Sequence, residues 1–112
     1  MTKIKLQTTG EILKEEFIIP YGISQNALAN AINVPASRIH QIVKGTRTIT
    51  ADTDLRLCKY FGLSDGFFLR LQEDYDLRIF KRKMKDILNN IIPINDNKLV
   101  KSKTKLRASV LK

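Results

Sequence analysis

The sequence predicts an all-α protein, a compact bundle of five to six helices in which one pair is joined by a very short turn. Three observations predict it. Apolar residues recur three and four positions apart through most of the first 91 positions. Most such stretches open on Ser, Thr or Pro and close on Gly, the residues that suit the two ends of a helix. No alternating apolar–polar run that would read as a strand occurs before residue 95.

The elements follow in order. The first helix is predicted from about Thr9 to Ile19. Thr8 with Glu11 three residues on forms a capping-box pattern, in which each side chain satisfies an orphan amide of the first turn. Ile12, Leu13, Glu16 and Phe17 set its period, and Pro20 and Gly22 stop it. Ser24 is a good cap for the second helix, whose buried stripe is Leu28, Ala29 and Ile32. The third helix starts near Pro35, where a missing amide costs nothing, and ends at Gly45, which is free to take positive φ. After the loop "TRTIT", Thr50 caps a fourth helix that carries Ala51, Leu55, Cys58 and Phe61 inward and ends at Gly62. Ser64 caps the stretch "DGFFLRLQEDYDLRIFKRKMKDILNNII", which reads as two helices with a break near Glu73 to Asp76, or as one helix bent there. Pro93 closes it. Residues 67 to 91 hold more apolar groups than one narrow stripe can bury, which predicts a second packing surface and a homodimer.

Domain organisation follows from composition. Residues 1–92 form one domain with C-terminal dimerisation helices, and residues 93–112 form a basic tail. The net charge is +9, and the tail holds six Lys or Arg against one Asp. That tail reads either as a solvated end or as an arm that touches DNA. The overall charge points to an anionic partner, nucleic acid before membrane surface. No run approaches the ~20 apolar residues of a membrane span. The first residues, "MTKIKLQTTGEILKEEF", lack an apolar core, so a secretory signal is not expected. Cys58 is alone, so no disulfide framework or thiolate metal set is expected, which fits a cytoplasmic protein.

The core of the functional reading lies at about residues 24–45. Ala29 lets the third helix approach the second closely. Asn33 tolerates the left-handed backbone that a tight turn requires, and Val34 plugs the corner that Ile39 and Ile42 complete. These are the marks of a helix-turn-helix, whose second helix enters the DNA major groove. The open face of that helix carries Ala36, Ser37, Arg38 and Gln41, the types that meet base edges. Gln25, at the start of the preceding helix, is placed to hold a phosphate. Lys44, Thr46 and Arg47 are expected on the backbone, where contacts position the protein without reading sequence. His40 either touches phosphate or stays exposed.

The segments "GEIL", "SQNALA", "VPASRI", "IVKGTRTITADTDLRL", "YFG" and "LQEDYDL", in this order over residues 10 to about 82, resemble the HigA-type antitoxins. These belong to the Xre or phage-repressor-like (lambda-repressor-like) helix-turn-helix group, and some carry the label virulence-associated protein I. The chain departs from them at "SDGFF", where the family more often has a Pro-Glu-Phe-Trp-like run. The resemblance implies a homodimer that binds double-stranded operator DNA at its own promoter and neutralises a small basic RelE-like toxin that cleaves mRNA. It implies DNA-facing roles for the residues at positions 25, 36, 37, 38, 41, 44 and 47. Glu11, Glu15 and Glu16 on the first helix read as a solvated face before they read as a surface for a basic toxin. A free-standing repressor without a toxin is the alternative.

An enzyme is not expected. There is no Ser-His-Asp set, no His pair, and no carboxylate cluster on one inferred face. Glu73, Asp74 and Asp76 read as a surface group paired with Arg70 and Arg78. No cofactor is called for, and the phosphate-loop pattern is absent. The tail has only a weak apolar face, so membrane attachment is not expected.

Overall fold

A computed structural model describes residues 6–96, and every regular element among them is helical. Helix α1 (Thr9–Leu13) opens on the expected capping box. The Thr8 hydroxyl accepts from the Glu11 amide at 3.1 Å, and the Glu11 carboxylate accepts from the Thr8 amide at 2.8 Å. The backbone then widens into a π turn over Lys14–Ile18, where the Ile19 amide donates to the Lys14 carbonyl five residues back, at 2.9 Å. The wider turn buries Ile18 together with Leu13, five residues before it, whereas a regular period pairs Leu13 with Phe17. Phe17 is half-buried, with ring centroids 5.0, 5.9 and 5.4 Å from Phe61, Phe67 and Phe68.

Helix α2 (Gln25–Ile32) is capped by the Ser24 hydroxyl, which accepts from the Ala27 amide at 3.0 Å. It buries Leu28, Ala29 and Ile32. Asn33 turns the chain in the left-handed region (φ 61°, ψ 52°), and Val34 is buried behind it. Helix α3 (Ala36–Lys44) begins one residue later than expected. Pro35 is its extended cap, with ψ 142°, and the Pro35 carbonyl accepts from the Arg38 amide at 3.0 Å. Gly45, at φ 90°, ends α3 by donating to the Gln41 and Ile42 carbonyls. Gly10 sits where α1 meets α3, and a β-carbon there would overlap the Ile42 carbonyl. This close approach is why α1 carries glycine inside its first turn.

Helix α4 (Ala51–Phe61) corrects the expected inward face. Cys58 is buried and Phe61 half-buried as expected, but Ala51 and Leu55 are exposed. The buried row is Thr53, Asp54, Leu57 and Cys58. An apolar pattern does not count a carboxylate as core, and Asp54 is 1% exposed. It is buried because helix α5 (Phe67–Lys83) needs an acceptor at its start. The Asp54 carboxylate takes the Gly66, Phe68 and Leu69 amides at 2.6, 2.9 and 3.1 Å. Asp54 therefore caps α5 from the neighbouring helix. Ser64 supplies only its carbonyl, to the Phe67 amide at 3.2 Å. Burial pushes the neighbouring Cys58 thiol up, which keeps it protonated as a core group.

Helix α5 runs unbroken through Glu73 to Asp76, so of the two expected readings the break there is corrected and the single helix through this stretch is the one found. The stretch holds no Gly or Pro, and Arg78 pairs with Asp74 one turn away at 3.1 Å. Arg70 turns instead to the Asp65 carbonyl. The interruption comes at Met84, where the backbone leaves helical geometry (φ −100°, ψ 11°). Helix α6 (Lys85–Asn89) and a 3₁₀ turn over Ile94–Asp96 follow.

The chain forms two compact units divided between Ile79 and Phe80. In the first, α2 packs on α3 and α4, and α1 packs on α3, around Leu13, Leu28, Ile39, Ile42, Leu57 and Phe68. In the second, Phe80, Ile87, Leu88, Ile91, Ile92 and Ile94 are all exposed. Residues 97–112, most of the expected basic tail, lie outside the described residues.

Candidate nucleic-acid interface

The helix pair α2–α3 is braced from three sides. Inside, Ala29, Val34, Ile39 and Ile42 are all buried, so α3 lies close on α2 as the small residue allows. At the turn, Arg56 of α4 donates through Nη1 to the Ile32 and Asn33 carbonyls at 2.9 and 3.3 Å. These are orphan acceptors at the C-terminal end of α2, and a cation is well placed there. On the far side, Gln72 of α5 takes the Ile49 amide at 2.6 Å and donates to the Ile49 carbonyl at 2.9 Å. This two-point clamp stitches the loop after α3 onto α5 in the manner of a strand pairing.

The outward surface of this frame carries the candidate residues. Ser37, His40, Gln41 and Lys44 are exposed along α3, while Ala36 and Arg38 are half-buried on it. Thr46 and Arg47 are exposed just past Gly45, with the Thr46 hydroxyl donating to the Gln41 carbonyl at 3.3 Å. Gln25 is half-buried as the first residue of α2. His40 Nε2 is 3.0 Å from Asn26 Oδ1, so it links α3 to the start of α2 beside Gln25. A shallow cleft brings Arg38 and Arg47 together with Thr48, Thr50, Asp52 and Thr53. α3 itself carries no acidic residue. Amide, hydroxyl and guanidinium groups on a rigid convex helix can hydrogen-bond base edges and neutralise phosphates.

Three residues that contact this surface or its frame escape a reading of the sequence for DNA-facing types. Asp52 and Arg56 stand four apart on α4, a spacing that signals a helix-surface pair, and their atoms meet at 2.7 Å. Arg56's reach back to the turn, 23 and 24 residues away, has no local signature. Nor does Gln72, whose partner Ile49 lies 23 residues upstream. Asp52 Oδ1 also lies 3.5 Å from Arg38 Nη1, so one base-reading candidate leans on an acidic neighbour.

Among the described residues no group of His, Cys, Asp and Glu is arranged to hold a metal ion. No helix among them is long and apolar enough to cross a membrane.

Comparison with known proteins gives a consistent answer. The profile of the helix-turn-helix family matches residues 13–68. Virulence-associated protein I of Dichelobacter nodosus is 48% identical over 86 residues, covering 77% of this chain and 79% of that protein. Antitoxin HigA-1 of Vibrio cholerae is 34% identical over 76 residues, covering 68% and 71%. Among solved structures, the Pseudomonas aeruginosa antitoxin HigA, determined with the higBA promoter, superposes with a TM-score of 0.74 at 37% identity. It covers 80% of this chain and 99% of that one. The buried frame and exposed α3 described above are thus those of a known regulator fold, and the chain belongs to the Xre-like helix-turn-helix family that includes the HigA-type antitoxins.

Proposed function

We propose that this protein is a sequence-specific DNA-binding antitoxin that works in the cytoplasm as a homodimer, represses its own operon and neutralises a small basic RelE-like toxin. The observation that carries the DNA half is the open face of α3, polar and basic on a helix packed closely on its neighbours. A similar protein solved with its promoter supports it. In this reading Ser37, Arg38 and Gln41 meet base edges and Ala36 contacts a thymine methyl. Gln25, His40, Lys44, Thr46 and Arg47 hold phosphates. Two copies of α3 in a dimer stand one DNA turn apart, ~34 Å, on a two-fold operator. The toxin half rests on the likeness to named antitoxins.

The test is a gel-shift on the DNA upstream of the gene across a salt series. The unaltered protein is expected to bind one palindrome, with affinity falling steeply as salt rises. Arg38→Ala with Gln41→Ala is expected to lose the preference for that palindrome and keep weak, salt-sensitive binding. Equal binding of all sequences by the unaltered protein overturns the repressor reading. Co-purification with the product of a neighbouring short basic reading frame tests the toxin half. A protein that represses but captures no such product is a free-standing repressor.

A further inference from the structure

Asp52 stands oddly on a surface that would approach a polyanion. It lies in the cleft with Arg38 and Arg47, its side chain 59% exposed, and a carboxylate there repels phosphate. Its geometry shows what it holds. The same oxygen, Oδ1, takes the Arg56 Nε–H at 2.7 Å and the Arg38 Nη1–H at 3.5 Å. The short bond fixes the carboxylate, and the fixing arginine is itself bound to the carbonyls of Ile32 and Asn33 at the turn. Asp52 is therefore tied to the helix-turn-helix frame, and Arg38 rests on it loosely. The Arg38 side chain is 28% exposed, and its Nε is buried with no acceptor among the described residues. Its stem is enclosed, so the choice left to it is where the guanidinium end points.

We infer that Asp52 is a positioning residue that aims the Arg38 guanidinium at one base pair of each half-site, raising discrimination while weakening the attachment that does not read sequence. This rests on the DNA-reading role proposed above. An exposed ion pair at 3.5 Å contributes little to folding, so the pair acts on orientation rather than on stability. A guanidinium biased toward one direction by a fixed carboxylate loses less rotamer freedom when it meets a guanine edge, whose O6 and N7 suit its fork. The negative charge also weakens attachment to any phosphate backbone, which is the part of binding that does not read sequence.

The experiment measures affinities of the full-length protein and of Asp52→Ala, Asp52→Asn, Arg38→Ala and Asp52→Ala with Arg38→Ala. The duplexes are the operator, operators carrying single base-pair changes across a half-site, and an unrelated duplex of equal length, all at one salt concentration. Asp52→Ala is expected to bind the unrelated duplex more tightly, by roughly threefold. It is expected to lose discrimination of about tenfold at the same base pair as Arg38→Ala, and at no other. The double variant is expected to lose no more at that pair than Arg38→Ala alone. Asp52→Asn, which keeps the shape and an acceptor, is expected to retain part of the discrimination. A Tm equal to that of the unaltered protein shows that folding is intact. Discrimination by Asp52→Ala equal to that of the unaltered protein, or a uniform weakening on every duplex, overturns the inference and leaves the DNA-reading role standing. An unaltered protein that binds operator and unrelated duplex alike overturns both.

Discussion

Asp54 holds three backbone amides with one side chain. It is a buried carboxylate within α4, and its oxygens take three amides at the start of α5. A hydrogen bond to a charged group contributes about 1.5–3 kcal/mol, and a buried amide left without an acceptor is costly in its own right. Asp54→Ala removes all three at once and opens a small cavity. It is expected to lower unfolding free energy by about 3 kcal/mol in urea titration, far more than the ~1 kcal/mol typical of losing a local helix cap. Asp54→Asn keeps an acceptor oxygen and should lose less. A loss below ~1 kcal/mol for the alanine variant would mean that water replaces the carboxylate freely, and that α5 is not anchored through this contact. Asp52, two residues away and exposed, shows the contrast. The same side chain serves stability where it is enclosed by amides and orientation where it is open to solvent.

Among the elements, α1 and α3 show how one glycine sets an interface. The two helices approach so closely at Gly10 that an added methyl meets the Ile42 carbonyl, a backbone atom that cannot rotate away. Two effects oppose each other in Gly10→Ala. Alanine raises helix propensity by up to ~1 kcal/mol. Forcing a methyl into a packed contact costs about 1–3 kcal/mol and displaces the neighbouring helix. The clash meets backbone, so overpacking wins. The variant is expected to unfold at lower urea concentration and, because α3 moves, to bind DNA more weakly. A variant as stable as the parent would show that α1 shifts on α3 without penalty. The same logic of close approach explains Ala29 between α2 and α3, where it is fully buried.

At the scale of the whole molecule, the apolar residues from Phe80 onward dominate. Phe80 is 54% exposed, Ile87 58% and Ile91 60%, in a segment that also carries Lys81, Arg82, Lys83 and Lys85. So many exposed apolar residues in so short a segment suggest a surface that a monomer seldom leaves to water. A second copy of the chain is the partner proposed for it. Sedimentation equilibrium is expected to return twice the chain mass of 12.8 kDa. Phe80→Glu with Leu88→Glu is expected to return the single mass, with helix content unchanged by circular dichroism. Operator affinity should fall at the same time, because each half of the palindrome is then bound alone. A double variant that stays dimeric would place the dimer contact elsewhere.

The helix-turn-helix was legible without tertiary information because its determinants are local. Thr8, Ser24, Asn33, Gly45 and Thr50 act on backbone groups within a few residues of themselves, and each stands where its side chain or backbone freedom suggests. The apolar period around Leu28, Ala29, Ile32, Ile39 and Ile42 likewise follows from the 3.6-residue turn alone, and the exposed face of α3 is its complement. Only the folded chain decided the rest. Asp54 reaches amides 12 to 15 residues on, Gln72 an amide 23 residues back, and Arg56 carbonyls 23 and 24 residues back. Those contacts turned the inward face of α4, moved the cap of α5 from Ser64 to Asp54 and placed Asp52 beside Arg38. The physical reason is the same in each case. Periodicity records which residues avoid water, whereas a buried or oriented polar group is defined by a partner that only folding brings within reach.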